Sequence, residues 1–150
     1  MRTAMDRRPR HSGFTLIETM IAMAIVAILA GMAISSYSRY VRQTNRSDAT
    51  RTMMQDAQSL QRCYSQNFTY LPATPCATTA GTGKSAGGYY SVTITIPTAA
   101  TSYTITATPI AAPQTNDTQC ASFTLTSSGT QSAVNSAGTD ATKTCWGSTN

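Results

Sequence analysis

Residues 13 to 18 read Gly13-Phe14-Thr15-Leu16-Ile17-Glu18, and they open an apolar run that continues to Ile34 with only Thr15, Glu18 and Thr19 as polar interruptions. The run matches the ~20 residues that a helix needs to cross a bilayer core. No Pro interrupts it, and Ala, Ile, Met, Val and Leu dominate, so in lipid it can only be a helix. Glu18 is the odd residue, because a carboxylate in an apolar span costs roughly 2.5–3.5 kcal/mol and calls for a partner. Before the run lie basic, polar residues. After it comes Ser35-Ser36-Tyr37-Ser38-Arg39-Tyr40, a poor match to the small-residue end of a cleaved secretory signal.

The helical pattern continues past the apolar run. Tyr37, Val41, Ala49, Met53, Ala57, Leu60 and Tyr64 recur at spacings of three, four or eight, one stripe of a helix. Arg42, Gln43, Arg46, Gln55 and Gln58 are expected on its other faces. From Phe14 to about Asn67 there is no Pro, so a single helix is allowed, apolar all round at first and amphipathic later. Asn67 to Gly88, with Pro72, Pro75 and several Gly, is expected to be a loop. Period-two alternation then marks strands at Tyr89–Ile96, Tyr103–Thr108 and Ala121–Thr126, with a fourth at Thr130–Val134. Thr on alternate positions implies a sheet packed on one side only, with the amphipathic helix as its cover. The expected fold class is α+β, a long helix on a small antiparallel sheet.

Charge and cysteine set the surroundings. The chain of 150 residues carries a formal net charge of +5, yet only 11% of it is charged. Arg2, Arg7, Arg8 and Arg10 precede the apolar run, while Arg39, Arg42, Arg46 and Arg51 follow it, so the cations flank a membrane segment. By positive-inside counting the two flanks nearly tie. The cysteines Cys63, Cys76, Cys120 and Cys145 include no C-x-x-C pair, and the only histidine is His11. They read as two disulfides in an oxidising compartment, which puts the C-terminal part outside the cytoplasm. With the only histidine in the leader, Ser–His–Asp and Cys–His catalysis have no support, and neither an enzyme activity nor a cofactor or metal is expected. Gly83-Lys84-Ser85 lacks the first Gly of a phosphate-binding loop. Asn116, Asp117 and Asp140 read as turn formers rather than calcium ligands.

The hexapeptide Gly13–Glu18, after a short basic leader and at the head of an apolar helix, closely resembles the prepilin signature of type IV pilins. The resemblance extends through Tyr37 and Tyr40, and later to Arg62-Cys63-Tyr64, Asn67-Phe68-Thr69-Tyr70 and Cys145-Trp146, which are similar to the PilE-like group of minor pilins. It departs at Ser35 and Ala27, where many pilins carry Pro and Gly. The resemblance implies residues 1–13 as a cytoplasmic leader, 14–36 as a transmembrane and polymerisation helix, and 37–150 as a globular head. The head would comprise the amphipathic helix 37–67, a loop 68–88, a sheet 89–134 and a disulfide loop 120–145.

The resemblance also implies cleavage between Gly13 and Phe14 by a prepilin peptidase that methylates the amino group of Phe14. Glu18 would pair with that amino group on a neighbouring subunit and set the register of a helical filament. Four cysteines allow three connectivities; the sequence-local one, Cys63–Cys76 and Cys120–Cys145, is expected, its second loop resembling the family's C-terminal loop. The implied partners are other pilin subunits, the peptidase, the inner-membrane assembly machinery and the membrane itself before assembly. The implied location is the bacterial inner membrane, then a surface pilus. Two further readings share the signature: a pseudopilin of a type II secretion system, and a competence pilin that binds DNA, with Lys84, Lys143 and Trp146 as candidate phosphate and stacking contacts.

Overall fold

A computed structural model describes residues 13–70 and 81–147. Helix α1 runs Leu16–Asn67, 52 residues, and is followed by strands β1 (Gly81–Lys84), β2 (Tyr90–Thr95), β3 (Thr104–Pro109), β4 (Ser122–Thr126) and β5 (Gln131–Val134). A 3-10 turn, Gln114–Asn116, links β3 to β4, and a short helix α2, Thr142–Trp146, follows β5. The chain divides into two units, one ending at Tyr37 and one beginning at Ser38.

In the second unit the five strands form an antiparallel sheet in the order β1-β2-β3-β4-β5. The expected alternation sorts the side chains. Val92, Ala107, Phe123 and Ala133 stand in register across four strands, with Ile94, Ile105 and Leu125 in the next row, and all seven are buried. The threonines between them face away. Ala49, Met53 and Leu60 of α1 are fully buried against this face, with Ala57 and Tyr64 half-buried beside them. The sheet therefore has one dry side because the helix covers it, the α+β arrangement that the alternation implies. Edge-to-face rings extend the core: Tyr90 meets Phe123 at 5.7 Å between centroids, and Phe123 meets Trp146 at 6.0 Å. At the far end Tyr64 stacks on Tyr70 at 4.6 Å, and Tyr70 meets Tyr103 edge-on at 5.0 Å.

Three expectations need correction. The loop expected over 68–88 contains β1, and the sheet starts at Gly81 rather than at Tyr89. A strand reading Gly-Thr-Gly-Lys has no apolar alternation, and it is held by backbone pairing at the sheet edge. The turn into β2 depends on Gly87, whose N–H donates to Asp48 Oδ1 at 2.9 Å; a Cβ there would stand 2.8 Å from Asp48 Oδ2. Tyr37, assigned to the apolar stripe, is exposed. Arg46, assigned to a polar face, is buried at 8% exposure, because it stands three residues before Ala49 and seven before Met53 and so shares their face.

Candidate functional site

The first unit is described from Gly13 to Tyr37. Its part of α1 is long and apolar enough to cross a bilayer, with a mean hydropathy of 2.3 over its most apolar stretch and none of that stretch buried. Phe14 is 83% exposed, and Leu16, Ile17, Met20, Ile21, Ile25, Ile28 and Leu29 stand open around the helix as well. An all-round apolar helix of this kind needs lipid or other helices to cover it. Thr15 starts it: its carbonyl and hydroxyl both accept from the Glu18 N–H, at 3.1 and 3.3 Å. Glu18 thus sits in the first turn with its side chain exposed. Gly13 precedes the helix in open backbone, and nothing lies within 4 Å of where a Cβ would be. Of the expected leader, residues 1–13, all but Gly13 lie outside the described residues.

In the second unit the charged groups gather where α1 meets the 3-10 turn. Arg39, Arg42 and Arg46 recur at three- and four-residue spacing, which places them on one side of the helix. Arg46 Nε donates to Asp117 Oδ2 at 2.7 Å and its Nη2 to Asp117 Oδ1 at 2.8 Å, and Nη2 also reaches Gln119 Oε1 at 2.9 Å. Next to this pair Gln114, fully buried, donates from Nε2 to the Tyr90 hydroxyl at 2.6 Å and to the Arg42 carbonyl at 3.2 Å. Burial pushes the Tyr90 phenol above its usual range, the Gln114 hydrogen bond opposing. The three arginines, with Asn116, Asp117, Thr118 and Gln119, line a polar cavity of about 400 Å³. In the sequence these arginines stand out only as charge flanking the apolar run and, for Arg42 and Arg46, as polar helix faces; their shared spacing is the signal of a cluster, but Asp117 is 71 residues away from Arg46.

The residues singled out for nucleic acid are dispersed. Lys84 ends β1 at one sheet edge, and Lys143 lies in α2, which packs on β5 at the other. Four strand spacings separate those edges, roughly 19 Å. Trp146 is not a free stacking surface: its indole N–H donates to the Ser132 carbonyl at 2.8 Å and its ring packs on Phe123. Asp117 and Asp140, expected as turn formers rather than calcium ligands, are also apart in role. Both oxygens of Asp117 are engaged by Arg46, while Asp140 accepts from the Thr142 hydroxyl at 2.6 Å, which holds its carboxyl below the usual range. No cluster of metal-ligating side chains occurs among the described residues.

Cys120 and Cys145 form a disulfide, with sulfurs 2.05 Å apart, that ties the start of β4 to α2. Cys63, at the end of α1, is also disulfide-bonded. Its expected partner, Cys76, lies outside the described residues.

Comparison with known proteins adds to this geometry. The family described as "Type IV minor pilin ComP, DNA uptake sequence receptor" matches residues 35–124, and the prokaryotic N-terminal methylation motif matches residues 8–34. The fimbrial protein EcpC of Eikenella corrodens is 35% identical over 98 residues, which covers 65% of this chain and 62% of that protein. The type IV major pilin protein PilA of Myxococcus xanthus is 46% identical over 41 residues, 27% of this chain and 19% of that protein. These matches span less than two thirds of the length of either relative. A solved type IV pilin from Shewanella oneidensis aligns with a TM-score of 0.45 at 26% identity, over 60% of this chain and 89% of that one. The match to the minor-pilin family covers more than half of the chain and takes in the second half of α1 and strands β1 to β3, so the chain belongs to the ComP family of type IV minor pilins.

Proposed function

We propose that this chain is made as a membrane precursor, is cut between Gly13 and Phe14 with methylation of the new amino group, and enters a type IV pilus through its N-terminal helix. The observation that carries the reading is the exposed apolar helix opened by Gly13-Phe14 and bearing Glu18 in its first turn. A glycine at the scissile position lets the backbone enter a peptidase cleft extended, without a side chain to clash. Cleavage creates an ammonium on Phe14, and a neighbour's ammonium beside Glu18 would offset the cost of both charges in an apolar setting. The precursor would span the inner membrane once, with the head in the periplasm, before the assembly machinery moves it into the fibre.

The test is intact mass and N-terminal analysis of protein recovered from membranes and from sheared surface material. A chain that begins at methylated Phe14, four hydrogens lighter than its reduced form and present in the filament fraction, is the expected result. A soluble chain that begins near Ser36 would overturn the reading.

A second reading is that the head binds duplex DNA while displayed on the fibre, as the family's description suggests. From residue 38 onward the sequence holds seven Lys and Arg against four Asp, a modest positive excess. A gel shift that dissolves with salt would support it, and no shift at low salt would end it.

A further inference from the structure

The arginines that follow the apolar run are unexplained by export or by assembly. Positive charge just beyond a membrane span is disfavoured on the exported side, and this chain carries Arg39, Arg42, Arg46 and Arg51 there. We propose that the cavity formed by Arg39, Arg42 and Arg46 with Asn116, Thr118 and Gln119 holds the phosphate diester of an anionic phospholipid headgroup. The inference rests on the membrane-inserted precursor proposed above.

Arg46 and Asp117 satisfy each other through two hydrogen bonds, so the carboxylate is neutralised and a wall of the cavity is fixed. Neither Arg39, which is exposed, nor Arg42, which is half-buried, has an acidic partner among the described residues. Two guanidinium groups therefore line a polar cavity whose carboxylate, Asp117, is already taken up by Arg46, and guanidinium matches phosphate in shape and donor geometry.

Size and position choose the ligand. About 400 Å³ lies at the small end of ligand cavities, which run from about 300 to 1,000 Å³, and it suits one headgroup. Arg39 and Arg46 are seven residues apart, about 10 Å along a helix. That distance covers one or two phosphates, where a duplex presents an extended array. Arg39 and Arg42 follow Ile34, the end of the apolar run, by five and eight residues. The exposed ring of Tyr40 stands between them in the sequence, and tyrosine favours the headgroup level of a bilayer.

The experiment uses the full chain in mild detergent, offered equal parts of phosphatidylglycerol and phosphatidylcholine with identical acyl chains. Retained lipid is read by native mass spectrometry. The wild type is expected to keep phosphatidylglycerol in preference. The preference should fall about fivefold in Arg39→Gln and about fivefold again when Arg42→Gln is added. Arg62→Gln, the same charge change elsewhere on α1, should leave it unchanged. Equal retention of the two lipids by the wild type overturns the proposal, as does a preference that survives the double variant. Displacement of the lipid by inorganic phosphate would reassign the cavity to free anions, and displacement by a short duplex would reassign it to nucleic acid. The Cys120–Cys145 bond and the unfolding midpoint report whether the variants remain folded, and the wild-type comparison stands without them. Insertion into vesicles of pure phosphatidylcholine tests the membrane reading separately.

Discussion

The Arg46 guanidinium on α1 grips the Asp117 carboxylate beyond the 3-10 turn through two parallel hydrogen bonds of 2.7 and 2.8 Å, and both side chains are nearly shut off from solvent. With Gln114 reaching the Arg42 carbonyl, the pair fastens the β3–β4 connection to the helix rather than leaving it as a surface excursion.

Breaking that pair from one side should be costly, since it leaves a buried charge without its partner. Asp117→Ala or Arg46→Ala is expected to destabilise the head by about 3 kcal/mol. Arg46→Met combined with Asp117→Leu should recover much of the loss. Denaturant unfolding of the full chain in detergent measures all three.

The Cys120–Cys145 bond spans 25 residues. A cross-link over a loop of that length stabilises by about 3.5 kcal/mol through the unfolded chain. Replacing both cysteines by Ser should lower the unfolding midpoint by the corresponding amount, and should first loosen α2, which hydrogen exchange at the backbone amide of position 145 would detect.

Asp140 supplies a pH dependence of known sign. The Thr142 hydroxyl and its backbone N–H both donate to the carboxylate and lower its pKa from 3.8 in the folded chain. Its contribution to stability is therefore present above 3.8 and is lost as pH falls through the lower folded value. Thr142→Val should move the titration back toward the ordinary carboxylate range, as carboxyl-carbon NMR would show.

Glu18→Gln should separate processing from assembly. The chain should still begin at methylated Phe14 in the membrane, yet be missing from sheared filaments. Gly13→Val should fail one step earlier, leaving the precursor at full mass. Filaments that contain the Glu18→Gln chain at wild-type level would remove the register role from Glu18.

What the sequence made legible is the part governed by local pattern. The apolar run from Phe14 to Ile34, the stripe Ala49-Met53-Leu60 and the alternation in β2, β3 and β4 are each set by nearest neighbours and by burial on one face. What stayed hidden depends on distant partners. Nothing in Gly81-Thr82-Gly83-Lys84 signals a strand, because its pairing comes from the backbone of β2. Arg46 resembles its exposed neighbours until Asp117 arrives from across the fold. Lys84 and Lys143, which a linear reading could group, end on opposite edges of the sheet.

The simple order of the sheet bears on how the head comes into being. Each strand after β1 pairs with the strand made immediately before it, and the covering half of α1 precedes them all. Strand pairings that join only sequence neighbours close small loops and form quickly. A polypeptide delivered across a membrane in N-to-C direction can thus zip its hairpins one after another upon a helix already in place, with Cys145 reaching Cys120 as the final clasp.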